Sequence, residues 1–282
     1  MSNRTGIMLA YPFEERRLVK WPTPYIVQPK LDGDRCRAII DEHGRCTLLS
    51  SEENIIVSAP HINEQLENMN LRCVELDGEL FSPDKKHQAI HGIVGRTVNL
   101  HPDFESIELH LFDIMTEEIQ ARRCQTLLDT VQETDSIKIV QVEVAENLQD
   151  IMRLLDTYMD AGQEGLIVRH MLYPYMRKRS TGMMKFKPRR EDYYIIVGYE
   201  EEIDKYGVPK NSLGALVLRS DTNEIFKVGS GSFLTRDARE TLWRSREDIV
   251  GKIAHIKYQH LTDRHVPRFP VIVDIIDPMF RI

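Results

Sequence analysis

The feature that most limits the fold of this chain is its periodicity: short runs alternating apolar and polar side chains are interleaved with stretches of helical spacing. Residues 25–29, 35–40, 45–50, 72–81, 107–114, 137–144, 165–169 and 183–187 read as strands, and residues 59–69, 87–94, 119–133 and 149–161 as helices. Strands and helices mixed in this way build α+β layers, whereas a bundle or an all-β sandwich would keep one period throughout. Asp41-Glu42-His43-Gly44, between two alternating runs, predicts a hairpin in which Gly44 supplies a positive φ.

Beyond Arg190 the texture changes. Residues 193–199, 213–219, 224–228, 252–260 and 270–276 have strand periodicity, and 235–249 is helical. Five short strands around one helix in about ninety residues are the size and pattern of an OB-type β-barrel. The sequence therefore predicts a first domain over residues 1–189 and a small C-terminal barrel over 190–282, joined near 188–192.

Composition narrows the function classes. With 41% hydrophobic and 29% charged residues the chain is an ordinary globular one. No apolar run approaches the roughly 20 residues of a spanning helix. Ile7-Met8-Leu9-Ala10 leads straight into Pro12 and Glu14-Glu15-Arg16-Arg17, so no membrane partner and a cytoplasmic setting are expected. Cys36, Cys46, Cys73 and Cys124 form no CxxC pair, which points to structural thiols rather than zinc or disulfide sites. A net charge of −7 excludes an indiscriminate nucleic-acid coat, because phosphate binding needs clustered Lys and Arg. Arg177-Lys178-Arg179 and Lys185-Phe186-Lys187-Pro188-Arg189-Arg190 are such clusters and leave room for a local basic groove.

The densest group of reactive side chains is Lys30-Leu31-Asp32-Gly33-Asp34-Arg35, directly after a strand, with a glycine that lets the backbone turn beside a ligand. Glu75-Leu76-Asp77-Gly78-Glu79-Leu80, Leu111-Phe112-Asp113, Glu164-Gly165-Leu166-Ile167-Val168-Arg169 and Lys185-Phe186-Lys187 follow in that order. Taken singly, each has a structural reading: a polar turn, a core aromatic, a helix-to-strand loop, a strand with one solvated face. Taken together, their order, spacing and residue types resemble motifs I, III, IIIa, IV and V of the covalent nucleotidyltransferases, the superfamily of DNA ligases, RNA ligases and mRNA capping enzymes.

The resemblance implies a fold and a set of roles: a nucleotidyltransferase domain of antiparallel sheets with flanking helices, ahead of the barrel. Lys30 is the nucleophile that accepts AMP, with Gln28 and Pro29 beside the nucleotide. Arg35 and Glu79 touch the ribose, Phe112 stacks on adenine, Glu164 serves metal or ribose, and Lys185 and Lys187 hold phosphates. Arg179, in Arg179-Ser180-Thr181, is similar to a ligase element near the adenylate. Asp32, Glu79 and Glu164 are the candidate carboxylates for Mg²⁺ or Mn²⁺. The chemistry calls for such a set. A lysine with the reference pKa of about 10.4 is only about one part in a thousand neutral near pH 7.4, and neighbouring cations remove part of that cost. Transfer at the α-phosphate of ATP further needs Lys, Arg and a metal to neutralise charge.

Leu213-Gly214-Ala215-Leu216-Val217-Leu218 and Phe226-Lys227-Val228-Gly229-Ser230-Gly231-Ser232-Phe233 resemble the small domain of ATP-dependent DNA ligases of the minimal phage and bacterial type. Val266-Pro267-Arg268-Phe269-Pro270 is similar to their motif VI, which implies that Arg268 orients the departing pyrophosphate. The expected activity is the sealing of nicked double-stranded DNA, gripped mainly by its backbone, by a monomer. The alternatives are an RNA ligase, a GTP-using capping guanylyltransferase, and a non-catalytic nucleic-acid-binding protein on a ligase fold. One position departs from the pattern. Ser50-Ser51-Glu52-Glu53 stands where ligases place Ser-Arg-x-Gly, which leaves Arg37, Arg45 and Arg96 as candidate cations for the DNA end.

Overall fold

The computed structural model describes residues 6–187, 190–262 and 264–277. In chain order the elements are β1 (Leu9–Pro12), α1 (Glu15–Leu18), β2 (Tyr25–Lys30), β3 (Asp34–Ile40), β4 (Cys46–Ser50), α2 (Pro60–Asn68), β5 (Val74–Phe81), α3 (His87–Val94), β6 (Glu108–Ile114), α4 (Gln120–Thr130), β7 (Ile137–Ile139), β8 (Glu143–Ala145), α5 (Leu148–Asp160), β9 (Gly165–His170) and β10 (Arg179–Phe186). They continue with β11 (Arg190–Ile203), β12 (Pro209–Arg219), β13 (Ile225–Val228), α6 (Arg236–Arg244), α7 (Arg246–Ile249), β14 (Ile253–Tyr258), β15 (His260–Leu261), β16 (Pro267–Arg268) and β17 (Val271–Ile276). Among the described residues no helix is long and apolar enough to cross a membrane.

The chain divides into two compact units, residues 6–151 with 166–185, and residues 152–165 with 186–277. Residues 188 and 189, where the sequence places the domain boundary, lie outside the described residues. Segment 152–165 groups with the C-terminal unit, within which Glu164 pairs with Lys187.

The first unit holds two five-stranded sheets, ordered β1-β10-β9-β2-β8 and β4-β3-β5-β6-β7. The second carries α2, α3 and α4 over an apolar core that includes Leu48, Ile62, Leu66, Leu76, Ile90, Leu109 and Leu127. Its strands β3 to β6 pair antiparallel, as the alternation suggests, but β6–β7 and β1–β10 are parallel. The single strand expected over 137–144 is two strands. Residues 137–139 join β6 in one sheet and 143–145 join β2 in the other, so the segment must break where it crosses between them.

In the second unit the antiparallel sheet runs β13-β12-β11-β14-β17. Strand β11 pairs with β14 along 190–195 and with β12 along 195–203, through three register shifts that coil it. Ile272 N, on one edge strand, donates to Ser230 O, just past the other, at 2.6 Å, which ties the edges into a barrel. A Cβ on the next residue, Gly231, would lie 2.2 Å from Ile272 O, so the closure needs glycine there. Arg239 of α6 donates to Leu213 O, Gly214 O, Gly229 O and Leu234 O at 2.6–3.2 Å, fixing the helix to the barrel.

Candidate active site

The site begins with strand register. On β3 and β5 the facing pairs Arg35↔Glu79, Arg37↔Asp77 and Ile39↔Glu75 put two arginines and three carboxylates on one face. The cations take diagonal partners. Arg35 donates to Asp77 from Nε at 2.7 Å and from Nη2 at 2.6 Å, and Arg37 donates to Glu75 at 3.3 Å and also to Glu53. Tyr175 Oη adds a third donor to Asp77 at 2.6 Å and itself accepts from Met8 N at 2.9 Å, anchoring the segment ahead of β1. Glu79 is thereby left without a diagonal arginine. Burial pushes its carboxyl up to about 7, against the pull of Arg35 and Lys30.

Phe112 is the extra residue of a β-bulge. Asp77 faces Asp113 and Gly78 faces Leu111, so Phe112 has no partner across the ladder and its ring is re-aimed. Two guanidinium groups flank the ring, Arg35 at 4.6 Å and Arg169 at 5.4 Å from its centroid. Beneath it lies a buried polar network. Asp113 accepts from Arg123 at 2.7 and 3.2 Å and from Arg169 at 2.8 Å; Arg169 donates to Gln28 Oε1 at 2.8 Å, and Gln28 Nε2 donates to Phe112 O at 3.2 Å.

These groups surround a cavity of about 190 Å³ lined by Leu9, Ala10, Gln28, Pro29, Lys30, Leu31, Arg35, Glu79, Phe112, Ile167, Arg169, Met183 and Lys185. Seven residues singled out in the sequence converge here: Gln28, Pro29, Lys30, Arg35, Glu79, Phe112 and Lys185. Lys30 ends β2 with Nζ 3.3 Å from Leu31 O. The following turn passes so close to β5 that a Cβ on Gly33 would lie 2.2 Å from Leu80 O. Arg179 is not on the wall; it donates to Ala10 O at 2.5 Å, behind a wall residue. Asp32 is exposed on the turn after Lys30. Glu164 and Lys187 form an ion pair within the C-terminal unit, where Arg268 lies over the ring of Phe269 at 4.5 Å. Among the described residues no three His, Cys, Asp or Glu side chains stand grouped to hold a metal ion.

Residues 7–187 match the family model described as the ATP dependent DNA ligase domain, and residues 206–275 match the DNA ligase OB-like domain. The chain belongs to the ATP-dependent DNA ligases. Its relatives include the DNA ligase of Haemophilus influenzae, 26% identical over 198 residues and 69% of each chain, and that of African swine fever virus, 29% identical over 263 residues. The latter alignment takes in 86% of this chain and 61% of the viral protein. Among solved structures, the bacteriophage T7 ATP-dependent DNA ligase complexed with ATP superposes with a TM-score of 0.71 at 17% identity, over 98% of this chain and 100% of that one. The Chlorella virus DNA ligase–adenylate gives 0.65 at 21% identity, over 96% and 98%. This ligase thus has the family's two folds, and its activity is the ATP-driven joining of DNA.

Sequence reasoning overlooked the second tier of the ligase pocket. Asp77, Asp113 and Arg169 all stood inside the motifs, yet their importance rests on burial and pairing: Asp77 and Asp113 are fully buried and Arg169 nearly so. Gln120, Arg123 and Tyr175 carried no local signal. The structure also sorts the three arginines proposed for the DNA end. Arg37 is 10% exposed and held by two glutamates. Arg45 is held by Asp41 at 2.9 Å in the hairpin, five residues from Ser50 and so about 17 Å along the strand from the site. Arg96 lines a second cavity of about 520 Å³, which shares Arg35 with the first.

Proposed function

We propose that Lys30 attacks the α-phosphate of ATP, that the AMP it then carries passes to the 5′-phosphate of a nick, and that the adjacent 3′-hydroxyl displaces AMP to join the strand. The observation that carries this reading is the convergence of Lys30, Lys185, Glu79 and the clamped Phe112 on one cavity in a member of the ligase family. In the first step an N–P bond forms at Lys30 Nζ, pyrophosphate departs, and the amine loses a proton. In the second, a 5′-phosphate oxygen takes the same phosphorus, the N–P bond breaks, and Lys30 recovers its proton. In the third, the 3′-oxygen bonds to the 5′-phosphorus, its proton is released, and AMP leaves.

The adenine packs against Phe112, between Ile167 and Met183, and the bulge together with the two guanidinium groups fixes the ring beforehand, so little ordering cost falls on binding. Lys185 opposes the phosphates. Glu79 and Asp32 are the carboxylates that would hold Mg²⁺ or Mn²⁺, which when bound neutralises phosphate charge. A carboxyl at the cavity wall pushed up to about 7 by burial, against the pull of Arg35 and Lys30, fits that use. Lys187 and Arg268, in the C-terminal unit, serve the phosphate chain in the first step. DNA is gripped through its backbone, since joining must ignore sequence.

The OB-like match over 206–275 favours DNA over a capping substrate. Incubation with labelled ATP or GTP, followed by adduct mass, tests the first step: an AMP adduct is expected, absent in Lys30→Ala, and a GMP adduct would overturn the reading. Comparing nicked DNA, nicked RNA–DNA hybrid and RNA tests the rest, with DNA sealed fastest.

A further inference from the structure

If the chain seals nicks as proposed, a 5′-phosphate must be delivered next to the adenylate on Lys30. The cation that ligases of this pattern supply from the loop after β4 is replaced here by Ser51. The cavity of about 520 Å³ beside the nucleotide pocket is bounded by that same loop, through Ser50, Ser51 and Asn54, and by the end of α3 with the residues after it, through His91, Arg96 and Thr97. Arg35 lines both cavities, so a group held in the second lies next to a nucleotide held in the first.

The electrostatics of this cavity are uneven. Asp34 is its inner carboxylate, and two histidines on successive turns of α3 face it: His91 Nδ1 at 2.9 Å and His87 Nε2 at 3.4 Å. Glu52 is exposed. Arg35 is committed to buried Asp77. Arg96 is exposed and, among the described residues, its guanidinium makes no ion pair or side-chain hydrogen bond. It follows the C-terminus of α3, where a cation also suits the helix dipole. The Ser50 hydroxyl oxygen accepts from Glu52 N and Asn54 N at 3.2 Å, which shapes the loop and turns Ser51 to the cavity.

We propose that Arg96, assisted by the hydroxyls of Ser51 and Thr97, binds the 5′-phosphate of the nicked strand and presents its oxygen to the lysyl-AMP phosphorus. A planar guanidinium with two parallel donors suits a terminal phosphate dianion, and the small hydroxyl side chain of Ser51 on the facing wall leaves room for it.

The test separates the steps. Arg96→Ala is expected to form lysyl-AMP from ATP within about twofold of the unaltered protein, since Arg96 is outside the nucleotide cavity. That measurement also reports correct folding. Loaded with AMP, the variant is expected to transfer it to a nick bearing a 5′-phosphate about 10- to 100-fold more slowly, the loss of a charge-assisted bond. The preference for binding a 5′-phosphate nick over a 5′-hydroxyl nick should also shrink toward unity. Arg96→Lys should recover part of both. Transfer at the unaltered rate, a retained 5′-phosphate preference, or loss of lysyl-AMP formation in both variants would overturn the proposal. Failure of the unaltered, AMP-loaded protein to adenylate any nick would instead overturn the ligase reading on which the proposal rests.

Discussion

The pocket depends on one carboxylate that never meets the nucleotide, Asp113, and replacing it by asparagine measures that dependence. Asp113 and Arg123 are both fully buried as side chains, and Arg169 is 3% exposed. The carboxylate receives three guanidinium hydrogen bonds, of 2.7, 3.2 and 2.8 Å, and a fourth from Ile114 N at 3.0 Å. In Asp113→Asn one oxygen survives as an acceptor, the amide donors face guanidinium donors, and two cations remain in the core with no anion between them. Removing one partner of a buried ion pair costs about 3–5 kcal/mol, and the second stranded arginine places this case at about 4 kcal/mol or more. With a slope of about 2 kcal/mol per molar urea, the unfolding midpoint of the first unit falls by about 2 M. The chain has two tryptophans, Trp21 in the first unit and Trp243 in the second, so fluorescence of Trp21 in a Trp243→Phe background isolates that transition. Adenylation measured below the new transition should fall as well, because Arg169 and Gln28, which fix Phe112, lose their anchor. A midpoint shift under about 0.5 M would refute the account of the network as a buried, mutually dependent ion cluster.

Two further outcomes follow from the same geometry. Because the Glu79 carboxyl lies near 7 in the folded chain against 4.5 ordinarily, the folded state holds this proton more tightly than the unfolded one. The contribution of Glu79 to stability is therefore greatest below about pH 4.5 and declines as pH rises to about 7. Urea midpoints of Glu79→Gln should lack that decline, so the difference between the variant and the unaltered protein widens between those pH values; parallel profiles would contradict the assignment. Phe112→Leu keeps most of the volume but loses the aromatic face: KM for ATP should rise about tenfold while the unfolding midpoint moves little, and a rise under twofold would show that the ring does not pack on the base.

Much of the fold was legible because its strands alternate and its helices are amphipathic. Helix α3 has the bounds that the sequence suggests, and β2 to β6 begin or end within two residues of them. What could not be read depends on partners distant in sequence. Strand β1 is short and is a strand because β10, some 170 residues on, gives it a parallel partner. The expected helix over 235–249 is α6 and α7, separated at Ser245. The motif residues gathered in the pocket were readable because their chemistry restricts their type. The pairing Arg35 to Asp77, rather than to the facing Glu79, was not, since a diagonal choice between two carboxylates on one strand face leaves no trace in composition.

That diagonal choice divides the labour between the two kinds of cation in the pocket. Arg35 and Arg169 reach the cavity, yet each is bound to a buried aspartate, Asp77 or Asp113, so their charge is largely spent and their planes are held in fixed orientations. They act on the Phe112 ring, which their flat faces suit better than a lysine ammonium would. Lys30 and Lys185 are the cavity cations on flexible stems, and phosphorus changes partners at Lys30, so the group that must move is the one that can. The arrangement accounts for Glu79 as well. Had Arg35 paired straight across its strand, Glu79 would be neutralised and of little use to an incoming cation, while Asp77 would be left charged and buried without a guanidinium. Pairing on the diagonal puts the satisfied carboxylate in the core and the unsatisfied one at the nucleotide.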